Sequence, residues 1–348
     1  MTAKPAAADR ALEAEAALAL IEQYLAERRP RDKPGTTIAA LSGDASTRRY
    51  YRLKLGDLRF VLALYPEPFV PQELSYLTVR GLLEGHGLPV PGTEDVDGGR
   101  GVVLQEDLGD ETLQALLQDA SPARTAELYR EAVDRIAQLQ LRAAQGPQNA
   151  ACFQIAFDIE KLAWELHYFL KHFLEGHRGA NLSVEDRAVL SESFHRLSEE
   201  IASWPRVLCH RDYHSRNLMV HGERLVWIDF QDARLGPDTY DLASLLRDSY
   251  VDLTETRVDD LIRTYLRLGG ASQATPEAFA EYRRRFDLMS VQRNLKALGT
   301  FGHQTTSRSN PVYIQYIPRT LNYVRTNLER YSRFARLRDL LAPVIQGV

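Results

Sequence analysis

The chain has 348 residues, which exceeds the usual size of one domain, and 44% of them are hydrophobic, as in an ordinary globular core. Its 43 basic and 47 acidic residues give a formal charge of −4, which provides no electrostatic footprint for nucleic acid. The two cysteines, Cys152 and Cys209, make a disulfide framework improbable and favour a reducing compartment. We therefore expect a two-lobed protein without a nucleic-acid partner.

The N-terminal residues and the hydropathy pattern bear on location. The chain lacks the basic-then-apolar pattern of a secretory signal peptide. No apolar run approaches the roughly 18 residues that a membrane-spanning helix needs. We expect a cytoplasmic protein with no membrane partner.

The first predicted element is a helix. Residues 11–27 are rich in alanine, leucine and glutamate, and Leu12, Ala16, Leu20 and Tyr24 would share one face. This spacing predicts an N-terminal helix packed through that face. The prolines and the glycine that follow predict where it ends.

Three short β-prone runs come next, at residues 37–41, 49–55 and 59–65. Gly56 and Asp57 separate the last two runs at a tight turn. The pattern predicts an antiparallel meander.

A loop of small residues connects the first two of these runs. Small side chains let backbone amides approach phosphate oxygens, a serine can donate a hydrogen bond, and an arginine can neutralise charge. The candidate nucleotide-binding residues here are Gly43, Asp44, Ser46, Arg48 and Arg49. Taken alone, such a segment is more often an ordinary turn.

Most of the remaining chain is predicted to be helical. Residues 73–84 have helical periodicity, and residues 101–105 resemble a buried strand. Apolar residues three and four apart predict further helices at residues 122–144, 158–175, 184–203, 276–298 and 313–331, the last interrupted near Pro318.

One of these helices carries an aromatic stripe made of Trp164, His167, Tyr168 and His172. Such a stripe is more often part of a core than a platform for a substrate. Aromatic faces nevertheless stack well on sugar rings, so that alternative stays open.

Another helix carries Arg293 and Lys296 three residues apart, just before a predicted break at residues 299–302. The pair could reach a pocket for an anionic or polar sugar. A solvated charged face is an equal alternative.

Residues 207–232 hold the strongest chemical signal. Two apolar, β-prone runs flank residues 221–224, which predict a hairpin-like turn, and polar residues stand where each strand ends. This arrangement would bring Asp212, Asn217 and Asp229 together. Their oxygens suit a hard cation such as Mg²⁺, with one carboxylate left to act as a base.

Three other interpretations compete. His210, Asp212 and His214 alternate and could form a transition-metal cluster, although no further ligand group supports it. The polar residues could merely cap strand ends. The domain could also bind nucleotide without performing chemistry, which the presence of all three key side chains opposes.

The order of these residues resembles the catalytic segment of the protein kinases. His210-Arg211-Asp212 precedes Asn217 by five positions counted from the aspartate, and Asp229-Phe230-Gln231 follows across the turn. The pattern is similar to that of the aminoglycoside phosphotransferase and choline kinase relatives of the protein kinases, in which His214 also has a counterpart. The resemblance implies that Asp212 deprotonates an acceptor hydroxyl within a loop that includes His210 and Arg211. It also implies that Asn217 and Asp229 hold Mg²⁺ on the phosphates of ATP.

Further motifs narrow the resemblance to the cell-wall-recycling kinases that phosphorylate N-acetylmuramate and N-acetylglucosamine at the anomeric hydroxyl. The motifs span residues 39–323 and include the loop with Gly43 and Arg48, the segments 229–233 and 240–242, and the segment 292–299. The candidate acceptor-binding residues are His214, Gln231, Asp232, Arg293 and Lys296.

The same resemblance assigns two further positions. Backbone groups near Gln105 and Asp107 would meet the adenine at a hinge, and Asp241 would hydrogen-bond the backbone of the catalytic loop. The cofactors implied are ATP and Mg²⁺, with ATP between the lobes.

Departures from the family pattern accompany these matches. The strand at residues 60–65 has no lysine where the protein kinases and aminoglycoside kinases keep one for the phosphates, so Arg48 or Arg49 would have to supply that charge. The segments 64–68 and 300–303 also differ from the family's usual sequences.

We therefore predict an α/β (α+β) protein-kinase-like fold of two lobes, residues 1–107 with an antiparallel sheet and residues 108–348 mainly helical. The expected activity is that of a monomeric ATP-dependent sugar kinase acting on a small-molecule sugar. Two alternatives are a kinase of the same fold for another hexose, an aminoglycoside or an amino alcohol, and a catalytically silent nucleotide-binding regulator.

Overall fold

The computed structural model describes residues 7–29, 35–41, 48–269 and 275–345. The chain divides into two compact units, one of residues 1–78 with 90–109 and one of residues 79–89 with 110–348.

The first unit contains a five-stranded sheet in the order β1-β2-β3-β5-β4, in which all neighbours are antiparallel. Its strands are β1 Thr37–Leu41, β2 Arg49–Leu55, β3 Leu58–Leu64, β4 Thr93–Asp97 and β5 Val102–Glu106. The predicted meander is confirmed, and Gly56 takes a left-handed backbone (φ 63°) at the β2–β3 turn. Strand β4 was not predicted.

Helix α1, Ala7–Arg28, packs on one face of this sheet. Its buried stripe consists of Ala17, Ile21, Tyr24 and Leu25. The predicted face was therefore wrong at Ala16, which is exposed, while Tyr24 was correct. The spacing in an alanine-rich helix admits more than one apolar stripe, and the sheet selects the one with the larger side chains.

The remaining helices are α2 Ser75–Gly85, α3 Leu113–Leu116, α4 Pro122–Gln145, α5 Ile159–Phe169, α6 Val184–Ala202, α7 Tyr240–Leu246, α8 Glu255–Leu268, α9 Pro276–Ser307, α10 Ile317–Arg330 and α11 Ala335–Ile345. A π-helical segment, Leu170–His177, continues α5. A 3₁₀ turn, Pro311–Tyr316, precedes α10, which confirms the predicted interruption near Pro318. Among the described residues, no helix is long and apolar enough to cross a membrane.

Two small strand pairs carry the catalytic segment of the second unit. Strand β7, Leu218–His221, and strand β8, Arg224–Trp227, form a hairpin whose turn contains Gly222 with φ 62°. The hairpin predicted around residues 221–224 is confirmed, because the runs on either side of that turn form it. Strand β6, Arg206–Cys209, at the start of the predicted segment, pairs instead with β9, Arg234–Pro237, which was not predicted.

The predicted break at residues 299–302 was wrong, because α9 runs through it. A Cβ atom on Gly299 would lie 2.8 Å from the backbone of Phe169, and one on Gly302 would overlap the carbonyl oxygen of His172. These glycines therefore permit close packing of α9 against α5 and the π-helical segment. Their cost in helix propensity is offset by this contact.

Candidate active site

The loop between β6 and β7 is held in place by a buried aspartate. Asp241, in the first turn of α7, accepts hydrogen bonds from the backbone N–H groups of His210 (2.7 Å) and Arg211 (2.9 Å). Arg211 has φ 84°, a left-handed backbone that is strained for a side chain with a Cβ. Burial raises the pKa of Asp241 to about 6, while the two hydrogen bonds act in the opposite direction. The expected contact of Asp241 with the catalytic loop is confirmed.

Asp212 follows directly and is surrounded by positive charge. Lys296 Nζ lies 3.5 Å from its Oδ1, and Arg211 Nε lies 3.8 Å from its Oδ2. Burial opposes ionisation of Asp212, but Lys296, Arg211 and Arg293 hold its pKa well below the usual range. Asp212 is therefore a carboxylate that is ionised and fixed in position, as a group that orients a hydroxyl must be.

Asn217 and Asp229 meet at the open end of the β7–β8 hairpin. The backbone N–H of Ile228 donates to the carbonyl oxygen of Asn217 at 3.0 Å, so the residues before β7 and after β8 stay adjacent. The Asn217 amide nitrogen donates to the Asp212 carbonyl oxygen at 2.9 Å, which leaves the amide oxygen for a cation. Asp229 has φ 63° and accepts from Gln231 at 2.7 Å. One amide oxygen beside a carboxylate fits Mg²⁺.

The transition-metal interpretation of this loop is not supported. Among the described residues, no group of three or more His, Cys, Asp or Glu side chains is arranged to hold a metal ion. His210 packs its ring against Tyr213 and Trp227, with centroids 5.4 and 5.6 Å away. Burial lowers the pKa of His210 to about 4 and that of His214 to about 3. Both rings are therefore neutral near pH 7.

The predicted acceptor residues separate into two groups. Asp212, His214, Arg293 and Lys296 line one cavity of about 160 Å³, together with Tyr250 and Phe301. Arg293 is largely occupied, since it donates to the Arg211 carbonyl oxygen (3.0 Å) and to Ser244 Oγ (2.6 Å). It therefore supports the loop that carries Asp212.

Gln231 and Asp232 form the second group, on the loop after β8. Gln231 donates to Asp229, as described above, and Asp232 Oδ2 lies 2.9 Å from Arg211 Nη1. Both side chains contact the catalytic cluster. Each nevertheless has a partner within the protein that a sugar would have to replace or share.

Sequence reasoning missed a second buried acid that holds this loop. Asp248 Oδ2 accepts from the backbone N–H of Ser215 (2.9 Å) and from Ser215 Oγ (2.5 Å). Its only sequence signal is its place seven residues after Asp241, just beyond the end of α7.

In the first unit, the two candidate arginines point to different partners. Arg49 binds the backbone oxygen and the carboxylate of Glu13 on α1. The Arg48 guanidinium lies 5.7 Å from the Tyr50 ring centroid and 5.8 Å from that of Tyr65. Gly43, Asp44 and Ser46, which were also predicted to cover phosphates, lie outside the described residues.

Strand alternation explains why the arginines diverge. Tyr51 and Leu53 face α1, so Arg49 does too, whereas Tyr50 belongs to the opposite face. Ala63 pairs with Tyr50 and is on that opposite face. Strand β3 therefore carries alanine rather than lysine on that face, and it has no lysine elsewhere, as the sequence indicated.

The predicted hinge side chains are already paired within the first unit. Arg52 Nε lies 2.8 Å from Asp107 Oδ2, and the Tyr76 hydroxyl donates to Gln105 Oε1. Recognition of a base at this edge would therefore fall to backbone groups rather than to these two side chains.

Comparison with known proteins gives consistent results. The model of the phosphotransferase enzyme family matches residues 37–282. An N-acetylmuramate/N-acetylglucosamine kinase of Pseudomonas aeruginosa is 34% identical over 331 residues, covering 94% of each chain. The kinase of the same name from Neisseria meningitidis is 33% identical and covers 87% of this chain and 89% of its own.

Solved structures show the same fold at lower identity. A choline/ethanolamine kinase family protein from Mesorhizobium loti superposes with a TM-score of 0.58 at 18% identity, covering 94% of this chain and all of its own. An ADP-bound aminoglycoside phosphotransferase gives a TM-score of 0.57 at 14% identity, covering 87% and 96%. The predicted protein-kinase-like α/β fold is confirmed.

Proposed function

Because this chain belongs to the phosphotransferase enzyme family, we propose that it transfers the γ-phosphoryl group of ATP to the anomeric hydroxyl of N-acetylmuramate or N-acetylglucosamine. The product would be the sugar 1-phosphate, and the proposed role is the recycling of cell-wall amino sugars. The observation that carries the proposal is the catalytic loop, in which Asp241 fixes the backbone that presents Asp212. The identity of about one third to curated kinases of these sugars supports the choice of acceptor.

Asp212 would accept the proton of the acceptor hydroxyl as the new P–O bond forms. Its depressed pKa makes it a weak base, so it contributes mainly by orienting the oxygen for attack. Lys296, 3.5 Å from the carboxylate, would stabilise the negative charge that gathers where the phosphoryl group is transferred.

Asn217 and Asp229 are the residues that would hold Mg²⁺. When bound, the ion neutralises charge on the transferring phosphates. The protein's own contribution is to keep both oxygen donors at one hairpin end through the Ile228–Asn217 hydrogen bond.

We further propose that Arg48 replaces the missing phosphate-binding lysine of β3. Arg48 lies next to the β1–β2 loop and is stacked near Tyr50 and Tyr65, on the face opposite α1. Arg49 is unsuited to this role, because it faces Glu13 on α1. An arginine fork binds phosphate oxygens in pairs, which suits this position.

The charge around Asp212 opposes the alternative acceptors. Aminoglycosides and amino alcohols are cations. The cavity beside Asp212 is lined by Arg247, Arg293 and Lys296 against Asp212 and Asp248, and this excess of positive charge disfavours a cation. We propose that the enzyme acts in the cytoplasm, where ATP is available. We propose that it acts as a monomer.

An acceptor panel tests this proposal. Purified protein with MgATP is offered N-acetylmuramate, N-acetylglucosamine, its 1-O-methyl glycoside, plain hexoses, kanamycin and choline, and ADP release is measured. We expect turnover with the two free amino sugars and none with the glycoside, whose anomeric oxygen is blocked. Turnover of the glycoside, or of kanamycin or choline alone, would overturn the proposal.

A further inference from the structure

Helix α5 packs against α9, the helix that carries Lys296, and one edge of α5 presents an exposed tryptophan beside a lysine. Trp164 is 55% exposed, so the sequence expectation that it belongs to a core was wrong. Lys161 Nζ lies 4.1 Å from the centroid of the Trp164 ring. The Tyr168 ring lies beside the Trp164 ring, with the two centroids 5.3 Å apart. Lys161 stands over one face of the indole, and the exposed remainder of the ring is the kind of aromatic surface that binds a ligand.

Glu165 contacts both Lys161 on this edge and Gln292 on α9. Lys161 Nζ lies 3.9 Å from Glu165 Oε1, and Glu165 Oε2 accepts a hydrogen bond from Gln292 at 2.9 Å. Gln292 stands on α9 one turn before Lys296, which contacts Asp212. Lys161, Glu165 and Gln292 therefore form a chain of contacts that reaches α9 one helical turn from Lys296, the residue beside the proposed base.

The charges around Lys161 are mostly of its own sign. Burial lowers the pKa of Lys161, the carboxylate of Glu165 opposes this, and the positive charges of Arg211, Arg234 and Lys296 lower it further. Like charges held together in a partly shielded place repel one another, and a bound anion would relieve that repulsion. The arrangement favours a ligand that brings negative charge to this edge.

We propose that Lys161 and Trp164 form the subsite that separates N-acetylmuramate from N-acetylglucosamine, with Lys161 pairing with the lactyl carboxylate and Trp164 covering the apolar face of the sugar ring. The inference rests on the proposed function. The two sugars differ by a lactyl ether that carries a carboxylate ionised at neutral pH. Lys161 is a point charge 3.9 Å from Glu165, a carboxylate that also accepts from Gln292, whereas Lys296 and Arg211 contact Asp212 itself.

The first test needs no variant. The unaltered enzyme is assayed with N-acetylmuramate, with its methyl ester and with N-acetylglucosamine. The ester keeps the shape of the lactyl group and removes its charge. We expect kcat/KM for the acid to exceed that for the ester by about tenfold or more, mostly through KM, because a partly shielded ion pair is lost.

The second test removes the lysine. Lys161→Met should lower kcat/KM for N-acetylmuramate to the level of its ester, while the values for N-acetylglucosamine and the KM for MgATP stay within about twofold. Lys161→Arg should restore part of the preference for the acid. The matched control is Lys171→Met, which removes an exposed lysine of the following π-helical segment and should change neither sugar.

Trp164 should contribute equally to the binding of both sugars. Trp164→Ala should raise KM for both by about fivefold to tenfold, whereas Trp164→Phe keeps an aromatic face and should retain most of the activity. A loss confined to one sugar would overturn the role given to this ring.

The outcomes separate the inference from the proposed function. If the unaltered enzyme phosphorylates N-acetylglucosamine but discriminates neither for nor against the carboxylate, the inference is overturned and the proposed function stands. An equal loss for both sugars in Lys161→Met would also overturn it. If the unaltered enzyme phosphorylates neither amino sugar, the proposed function fails and this inference fails with it.

Discussion

The catalytic loop of the second unit and the β1–β2 edge of the first unit both present charge, but they hold it in different ways. In the second unit, buried Asp241 and Asp248 fix the backbone, and the charged groups around Asp212 contact one another directly. At the β1–β2 edge, Arg48 is a long side chain placed near two tyrosine rings. The catalytic loop fixes geometry, so substitutions there should lower activity strongly. The β1–β2 edge supplies charge, so substitutions there should lower activity less.

The largest effect is expected at Asp212. Asp212→Asn keeps the size of the side chain and removes its ability to accept a proton, so kcat should fall by about 100-fold to 10,000-fold with little change in nucleotide affinity. Steady-state turnover and ADP binding by calorimetry check both parts. Retained turnover would remove Asp212 as the base.

The next largest effect tests whether the backbone support matters as much as the base. Asp241→Asn leaves one acceptor oxygen for two backbone N–H groups, so the loop should lose about 1 to 3 kcal/mol of support. We expect kcat to fall more than the KM for ATP rises.

Asp260→Asn, on the exposed face of α8, is the matched control and should leave both kinetic constants unchanged. If Asp241→Asn lowered thermal stability without affecting kcat, the loop would not depend on this acid for its catalytic geometry.

A moderate effect is expected at the β1–β2 edge. Arg48→Ala should raise the KM for ATP by about tenfold, since one charged contact to phosphate is lost, and should change the sugar KM little. Arg49→Ala should leave the KM for ATP unchanged, because Arg49 binds Glu13 on α1. The comparison is made by steady-state kinetics on both variants. The reverse result would move the phosphate-binding role to Arg49.

The smallest effect concerns the pH dependence of stability. His210 and His214 have folded-state pKa values of about 4 and about 3, below the ordinary value of 6.5, so the unfolded chain binds more protons and the stability they contribute is lost as pH falls below 6.5. Asp241 acts oppositely between its ordinary value of 3.8 and about 6, because its pKa is raised. Burial also raises the pKa of Asp238 and Asp248 and lowers the pKa of His172, His177 and His303. These five histidines outnumber the three aspartates, so we expect net destabilisation by acid.

Urea unfolding at about pH 7.5 and pH 5 measures this loss. His210→Phe keeps a ring between Tyr213 and Trp227 and removes one titrating group, so it should reduce the difference between the two pH values. An unchanged difference would show that His210 is not the group responsible.

The sequence predicted the catalytic loop well and the surrounding packing less well, for physical reasons. The interval from Asp212 to Asn217 is set by local loop geometry, so it is visible in one sequence. Trp164 was assigned to a core because its spacing suits a buried stripe, yet tertiary packing left it exposed. Gly299 and Gly302 predicted a break because helix propensity alone disfavours glycine, whereas the neighbouring helix requires it.

Choices between adjacent residues also needed the structure. Arg48 and Arg49 are adjacent residues of the same type, and only the alternation of side chains along β2 shows that Arg49 faces α1. Lys161 carried no motif, and its importance emerges from the charges that α9 and the catalytic loop bring near it.

The most direct test of the central claim is the position of the new phosphate, determined by ³¹P and ¹H NMR after incubating the protein with MgATP and each amino sugar. Coupling of phosphorus to the anomeric proton, in an acid-labile product, is the result expected of an enzyme that uses Asp212 on the anomeric hydroxyl. Phosphate on any other hydroxyl would contradict the account.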